Sequence, residues 1–158
     1  GYSKPKRIGI IGSSHGGLVT AGAMIEKPNY FGAAVIDVGA LDMLRMELTE
    51  TGAYYTNISE FGTVKKLDEF KNLYSPFHTI KDSVNYPSSL IITGSNDTRV
   101  PAYQSYKFAG KLQNGVNQKN PIILWSQNNT GHFGANQYNG VIEELSFTYS
   151  FLFNELTK

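Results

Sequence analysis

The run Ile8-Gly9-Ile10-Ile11-Gly12-Ser13-Ser14-His15-Gly16-Gly17 constrains this chain more than any other stretch of it. An apolar, β-branched segment passes directly into a glycine-flanked serine and then into a series of small residues, which predicts strand, sharp turn and helix in that order. Gly12 and Gly16 bracket Ser14 in a G-x-S-x-G pattern. A turn this tight forces its central residue into costly backbone angles, and neighbours without a Cβ leave room for it and for a substrate. A serine presented in this way has the setting of a nucleophile. The motif alone is common; the buried strand before it and the small-residue helix after it make it specific.

Three further apolar, β-branched runs, Ala33 to Val38, Ser89 to Thr93 and Pro121 to Trp125, read with Arg7 to Ile11 as strands buried on both faces. Between and after them lie helical patterns: Gly17 to Glu26, stopped by Pro28, then Tyr103 to Gln113 and Val141 to Leu156. Strand and helix alternate, with one long excursion from Asp42 to Tyr86 that reads as one or two helices plus a loop on a pocket wall. Such alternation predicts an α/β fold: about four parallel strands, helices on both faces, and ligands at the carboxyl ends of the strands.

With 158 residues, 41% apolar side chains and 16 glycines, the chain can bury a sizeable core as one domain. Fourteen basic and 13 acidic residues leave a formal charge of +1 and no basic stripe, so nucleic acid is not the expected partner. The absence of cysteine excludes disulfides, thiolate metal sites and a cysteine nucleophile. No apolar run approaches the roughly 20 residues that span a bilayer, and residues 1–7 show no signal-peptide core. A soluble, cytoplasmic protein without membrane partners is the expectation. The chain also begins without methionine and enters its first strand almost at once, which suggests truncation or processing.

A serine hydroxyl is a poor nucleophile near neutral pH, so Ser14 needs a base and an acid that orients the base. Of the three histidines, His132 lies in Thr130-Gly131-His132-Phe133-Gly134, on a glycine-flanked loop following the last predicted strand. His15 is too near Ser14 along the chain to swing back, and His78 follows a proline turn away from any strand end. For the acid, Asp97 leaves the carboxyl end of the Ser89–Gly94 strand in Asn96-Asp97-Thr98-Arg99. Asp37, at the end of Ala33–Val38, is its competitor; the order Ser, Asp, His favours Asp97. The plainer alternatives are a surface-loop histidine at 132 and a hydrogen-bonded strand-end carboxylate at 37.

Taken together, Pro5-Lys6-Arg7-Ile8, Gly12-Ser13-Ser14-His15-Gly16-Gly17-Leu18, Val38-Gly39-Ala40-Leu41-Asp42-Met43-Leu44, Tyr74-Ser75-Pro76, Asp97-Thr98-Arg99-Val100-Pro101 and Gly131-His132 resemble the catalytic domain of the prolyl oligopeptidase family of serine peptidases. The similarity runs from about Pro5 to the last helix. It implies the C-terminal half of a peptidase S9-type α/β-hydrolase domain across residues 1–158, with the first half of the sheet and the family's β-propeller absent. By the resemblance Ser14 is the nucleophile, Asp97 the orienting acid and His132 the general base. The backbone N–H of His15 is one oxyanion donor, and Arg99 holds a substrate carbonyl beside the P1 residue. Where proline-specific members place a tryptophan and a tyrosine in the pocket wall, the matching aromatics are Tyr55 and Phe61; otherwise both would read as core, and Arg99 as a surface ion pair. A histidine, His15, stands where an asparagine often follows the nucleophile.

The resemblance implies cleavage of short peptides on the carboxyl side of proline, with no cofactor and no metal. It further implies that the chain alone has little or no activity, because the second oxyanion donor comes from the upstream half. The strand of residues 7–11 would then be a sheet edge, prone to self-association or to pairing with the missing half. Two other readings stand beside this one: a related esterase or aminopeptidase, and a non-catalytic segment that is stable only in association.

Overall fold

The computed structural model of the protein describes residues 1–48, 54–66, 68–69, 74–135 and 138–158, with the side chains of residues 48 and 54–56 outside that description. Strands β1 (Gly9–Ser13), β2 (Ala33–Asp37), β3 (Ser88–Gly94) and β4 (Ile122–Gln127) form one parallel sheet in the order β1-β2-β3-β4. Parallel neighbours need a crossover, and helices supply it. Helix α1 (His15–Glu26) links β1 to β2, and α4 (Tyr103–Gln113) links β3 to β4. The excursion between β2 and β3 holds a 3-10 turn (Met43–Leu48), α2 (Tyr54–Phe61) and the short α3 (Pro76–Thr79). A closing helix, α5 (Tyr138–Leu156), follows β4.

The sequence sorts these helices onto two faces by the strands' alternation. Ala34 and Ile36 of β2 and Ile91 of β3 pack with Ala21, Met24 and Ile25 of α1 and Phe108, Ala109 and Leu112 of α4. Ala33 and Val35, with Leu90 and Ile92, turn the other way and pack on Phe151 of α5. Each fully buried large side chain here contributes roughly 1.5–3 kcal/mol relative to exposure, which is why both helical layers hold.

Burial on both faces, expected for all four strands, holds for the central pair only. Every residue of β3 is buried, as are Ala33 to Ile36 of β2, whereas β1 alternates and leaves Ile11 55% exposed. Among the described residues β1 and β4 are the edges of the sheet, each with a strand neighbour on one side. The first strand also starts two residues later than its pattern suggested and ends at Ser13, next to the serine turn.

Register brings the strand ends level. Ser13 lies opposite Asp37, Asp37 opposite Ile92, and Ile92 opposite Trp125. Loops leaving β1, β2, β3 and β4 therefore emerge along a single rim. The excursion is tied to that rim at its start: Gln104 of α4 accepts hydrogen bonds from the backbone N–H groups of Leu41 (2.8 Å) and Asp42 (3.0 Å). The fully buried carboxylate of Asp42 accepts from Arg45 (3.2 Å) and from Lys107 of α4. Further on, Glu47 accepts from the Thr63 hydroxyl (2.5 Å) and the Val64 N–H (2.7 Å), closing the segment around α2.

Candidate active site

Ser14 sits between β1 and α1 with φ 57° and ψ −117°, a conformation that costs a non-glycine residue on the order of 1–3 kcal/mol. Its own backbone holds it there. The Ser14 N–H donates to the Asp37 carbonyl (2.9 Å), and the Ser14 carbonyl accepts from Leu18 (3.2 Å) and Ala40 (3.3 Å). The sequence permits the turn through Gly12, where a Cβ would stand 2.2 Å from the Gly16 carbonyl oxygen. The strained serine and its glycine neighbour are one device, legible in the G-x-S-x-G spacing.

Asp97 and His132 arrive from the next two strands along the rim. Asp97 follows β3, and its Oδ1 accepts from the backbone N–H groups of Arg99 and Val100, both at 2.8 Å. That fixes the carboxylate and leaves Oδ2 to face His132. His132 follows β4 on a loop laced to the Asp97 loop: Ser95 N–H donates to Gln127 O (3.0 Å), Asn96 N–H to Thr130 O (2.9 Å), and Asn129 N–H to the Ser95 hydroxyl (2.9 Å). The loop crosses directly over Gly94, where any Cβ would lie 2.5 and 2.6 Å from the carbonyl oxygens of Thr130 and Gly131.

The three side chains meet in one line. His132 Nδ1 is 2.7 Å from Asp97 Oδ2, and His132 Nε2 is 2.9 Å from Ser14 Oγ. The Asp97 side chain is fully buried and that of His132 is 9% exposed, so water screens the line little. Asp97, already accepting two N–H bonds, takes a third from Nδ1–H; in that tautomer Nε2 carries the lone pair that accepts the Ser14 O–H. A hydroxyl bonded in this way can lose its proton to the imidazole as its oxygen attacks an electrophilic carbon. The His15 N–H is the first amide of α1, one of those left without a partner inside a helix and therefore open to a developing negative charge.

The competing residues lie elsewhere. Asp37 faces α5 rather than the line, and burial, reinforced by the nearby Glu144 and Asp97 carboxylates, pushes its carboxyl up to about 6 against the pull of Ser13 and His132. His78 stands in the excursion, 2.8 Å from the Ser75 hydroxyl and 3.2 Å from Arg45, and burial draws its pKa down, aided by Arg45, Lys107 and Lys111 against Asp42. Arg99 is exposed next to Asp97. Phe61, at the end of α2, meets the ring of His15 edge-on, with centroids 4.8 Å apart. Tyr55 belongs to α2, but its side chain lies outside the described residues. Sequence reasoning missed Glu60, whose Oε1 lies 3.6 Å from His15 Nδ1; its only signal was its place before Phe61. Among the described residues no group of three or more histidine, aspartate or glutamate side chains could hold a metal ion, and no helix is long and apolar enough to cross a membrane.

A profile of the prolyl oligopeptidase family matches residues 1–158. The chain belongs to the prolyl oligopeptidase family. A prolyl endopeptidase of Elizabethkingia meningoseptica is 33% identical over 159 residues, covering 99% of this chain and 22% of that protein. Among solved structures, one from a structural and mechanistic study of two prolyl endopeptidases is 39% identical with a TM-score of 0.93, covering 99% of this chain and 23% of its own. Prolyl oligopeptidase B of Galerina marginata, bound to a 35-residue hydrolysis and macrocyclization substrate, is 30% identical with a TM-score of 0.88 over 99% of this chain and 22% of that one. The chain thus spans between a fifth and a quarter of the length of these relatives. The four-stranded parallel sheet and its helices are the part of their α/β-hydrolase domains that it matches.

Proposed function

We propose that this chain carries the catalytic residues of a serine peptidase that cleaves short peptides on the carboxyl side of proline. The observation that carries the reading is the unbroken Asp97–His132–Ser14 hydrogen-bond line. In this reading Ser14 Oγ attacks the scissile carbonyl while its proton passes to His132 Nε2, and Asp97 holds the imidazole and balances its charge. The His15 N–H stabilises the oxyanion. His132 then gives its proton to the leaving amine, and water, activated by the same imidazole, hydrolyses the acyl-enzyme. Arg99 receives a substrate carbonyl through its guanidinium fork, and Phe61 and Tyr55 pack on the proline ring.

Residues 1–158 alone have little or no turnover in this reading. They span about a fifth of the relatives' length, and one oxyanion donor is assigned among the described residues. The open edge of β1, with Ile11 exposed, supports a segment that works only when a further strand or a second copy covers it. The test is to purify both residues 1–158 and the complete product of the gene. Each is challenged with a fluorogenic post-proline peptide and with a fluorophosphonate. Labelling and turnover by the complete product, both abolished in Ser14→Ala, are expected; turnover that survives Ser14→Ala overturns the nucleophile. Turnover by residues 1–158 alone at the rate of the complete product overturns the dependence on further chain.

A further inference from the structure

The side chain of His15 has no part in the Asp97–His132–Ser14 line, yet it projects from the residue bonded to the nucleophile. Among the described residues two contacts define where it goes. Its ring stands edge-on to Phe61 at 4.8 Å and 88°, and its Nδ1 lies 3.6 Å from Glu60 Oε1. Phe61 and Glu60 are the last two residues of α2, so both contacts fall at one end of that helix. Just beyond, the Gly62–Thr63 turn is fixed from a different side: Glu69 accepts from Thr63 N–H (2.9 Å), and Glu47 accepts from Thr63 Oγ1 and Val64 N–H. The turn is therefore anchored to the excursion itself, while His15 supplies a link from α2 to the nucleophile turn.

We propose that the His15 imidazole is a positioning residue that latches the end of α2 to the serine turn and so sets the distance between the Phe61 ring and Ser14 Oγ. This deepens, and rests on, the reading of Ser14 as nucleophile and Phe61 as pocket wall. The backbone N–H of His15 serves the oxyanion; its side chain serves the substrate's P1 residue indirectly, through Phe61. One residue then couples the reacting centre to the surface that selects what reaches it. The contact suits the task because an edge-on ring pair has a preferred geometry as well as an attraction. The carboxylate of Glu60, 3.6 Å from Nδ1, adds a second, weaker polar contact at the same end of α2. Both partners are half-exposed, at 52% and 58% of the side chain, which makes the latch adjustable rather than a piece of core.

Loss of the latch affects substrate capture, and only for substrates that use the wall. In the complete gene product, with active sites counted by fluorophosphonate so that misfolded molecules drop out, His15→Ala is expected to raise KM for a peptide with proline at P1 by about two- to tenfold. Because the His15 N–H also faces the oxyanion, and any shift in it slows all substrates alike, the readout is the ratio of kcat/KM for the proline peptide to that for the glycine peptide, which falls by about two- to tenfold. The matching peptide with glycine at P1 has no ring to lay on Phe61 and reports any change at the reacting centre itself. His15→Phe, which keeps an aromatic edge, restores most of the proline KM, and Glu60→Gln gives a smaller rise than His15→Ala. Equal losses for proline and glycine peptides, which leave that ratio unchanged, overturn the latch and leave the nucleophile standing. A wild-type protein that neither labels nor turns over removes both.

Discussion

Replacing Asp37 by asparagine tests how this sheet accommodates a carboxylate at its inner rim. Burial is the main cause of the rise in its pKa from 3.8 to about 6; Glu144 and Asp97 add repulsion, and Ser13 and His132 oppose it. The folded protein thus binds this proton more tightly than the unfolded chain does. As pH climbs from 3.8 towards 6, the unfolded state ionises first, so Asp37 subtracts from stability progressively through that window and by a constant amount above it. At about 1.4 kcal/mol per tenfold change in proton affinity, the full penalty is on the order of 3 kcal/mol. The residue keeps some contact with solvent, which lowers the expected gain in Asp37→Asn to about 1–3 kcal/mol. The amide fits the same space and still accepts from Ser13. Urea unfolding of wild type and Asp37→Asn at about pH 3.5 and about pH 8 reads the difference directly. The mutant's advantage should grow between the two pH values. An advantage that is absent at the higher pH, or equal at both, refutes the claim that Asp37 is held against its charged form.

Three other changes bear on the site. Ser14→Ala should abolish fluorophosphonate labelling without lowering the unfolding midpoint, and a fall in that midpoint would show that the hydroxyl has a structural task. Asp97→Asn keeps the hydrogen bonds from the Arg99 and Val100 amides but offers His132 an N–H or a neutral oxygen, so kcat should fall by about 10⁴-fold with the fold intact; a loss below about tenfold would separate Asp97 from the mechanism. Gly94→Ala puts a methyl 2.5 Å from the Thr130 carbonyl, so the His132 loop must lift; turnover per folded molecule should drop by at least about tenfold, and an active Gly94→Ala enzyme would mean that the loop's path is not what places the imidazole.

Ser14 was legible because everything that defines its turn lies within a few residues of it: the strand before, the glycines beside, the helix after. Asp97 and His132 were legible because both leave carboxyl ends of strands, and in a parallel sheet every such loop emerges on the same rim. Their meeting did not require knowing the strand order. That β1 is an edge followed from the resemblance, which left the preceding strands out, and not from the run itself, since an apolar run reads the same whether or not a neighbour covers its far side. The His15–Glu60 contact was not accessible at all. It depends on where α2 comes to rest against the serine turn, and the ties that hold the surrounding excursion, from Glu47 to Thr63 and Val64 and from Gln104 to Leu41, join residues 16 or more positions apart in the sequence.

Asp37 illustrates a distinction that the sequence contained and that strand-end position alone does not use. It ends β2 as Asp97 ends the strand region of β3, and on that ground the two carboxylates compete for one role. Side chains alternate along a strand, however, and Ala33 and Val35 pack on α5 while Ala34 and Ile36 pack on α1 and α4. Asp37 is still inside the strand, two residues beyond Val35, so parity commits it to the α5 face, where Val35 and Glu144 line the same small cavity. Asp97 stands three residues past Gly94, beyond the reach of the alternation, and its loop is free to fold back so that Arg99 and Val100 clasp its carboxylate. A catalytic acid has to be aimed across the rim. A loop residue bound by its own neighbours' amides can be aimed in this way, whereas one fixed by strand parity points where the pleat sends it.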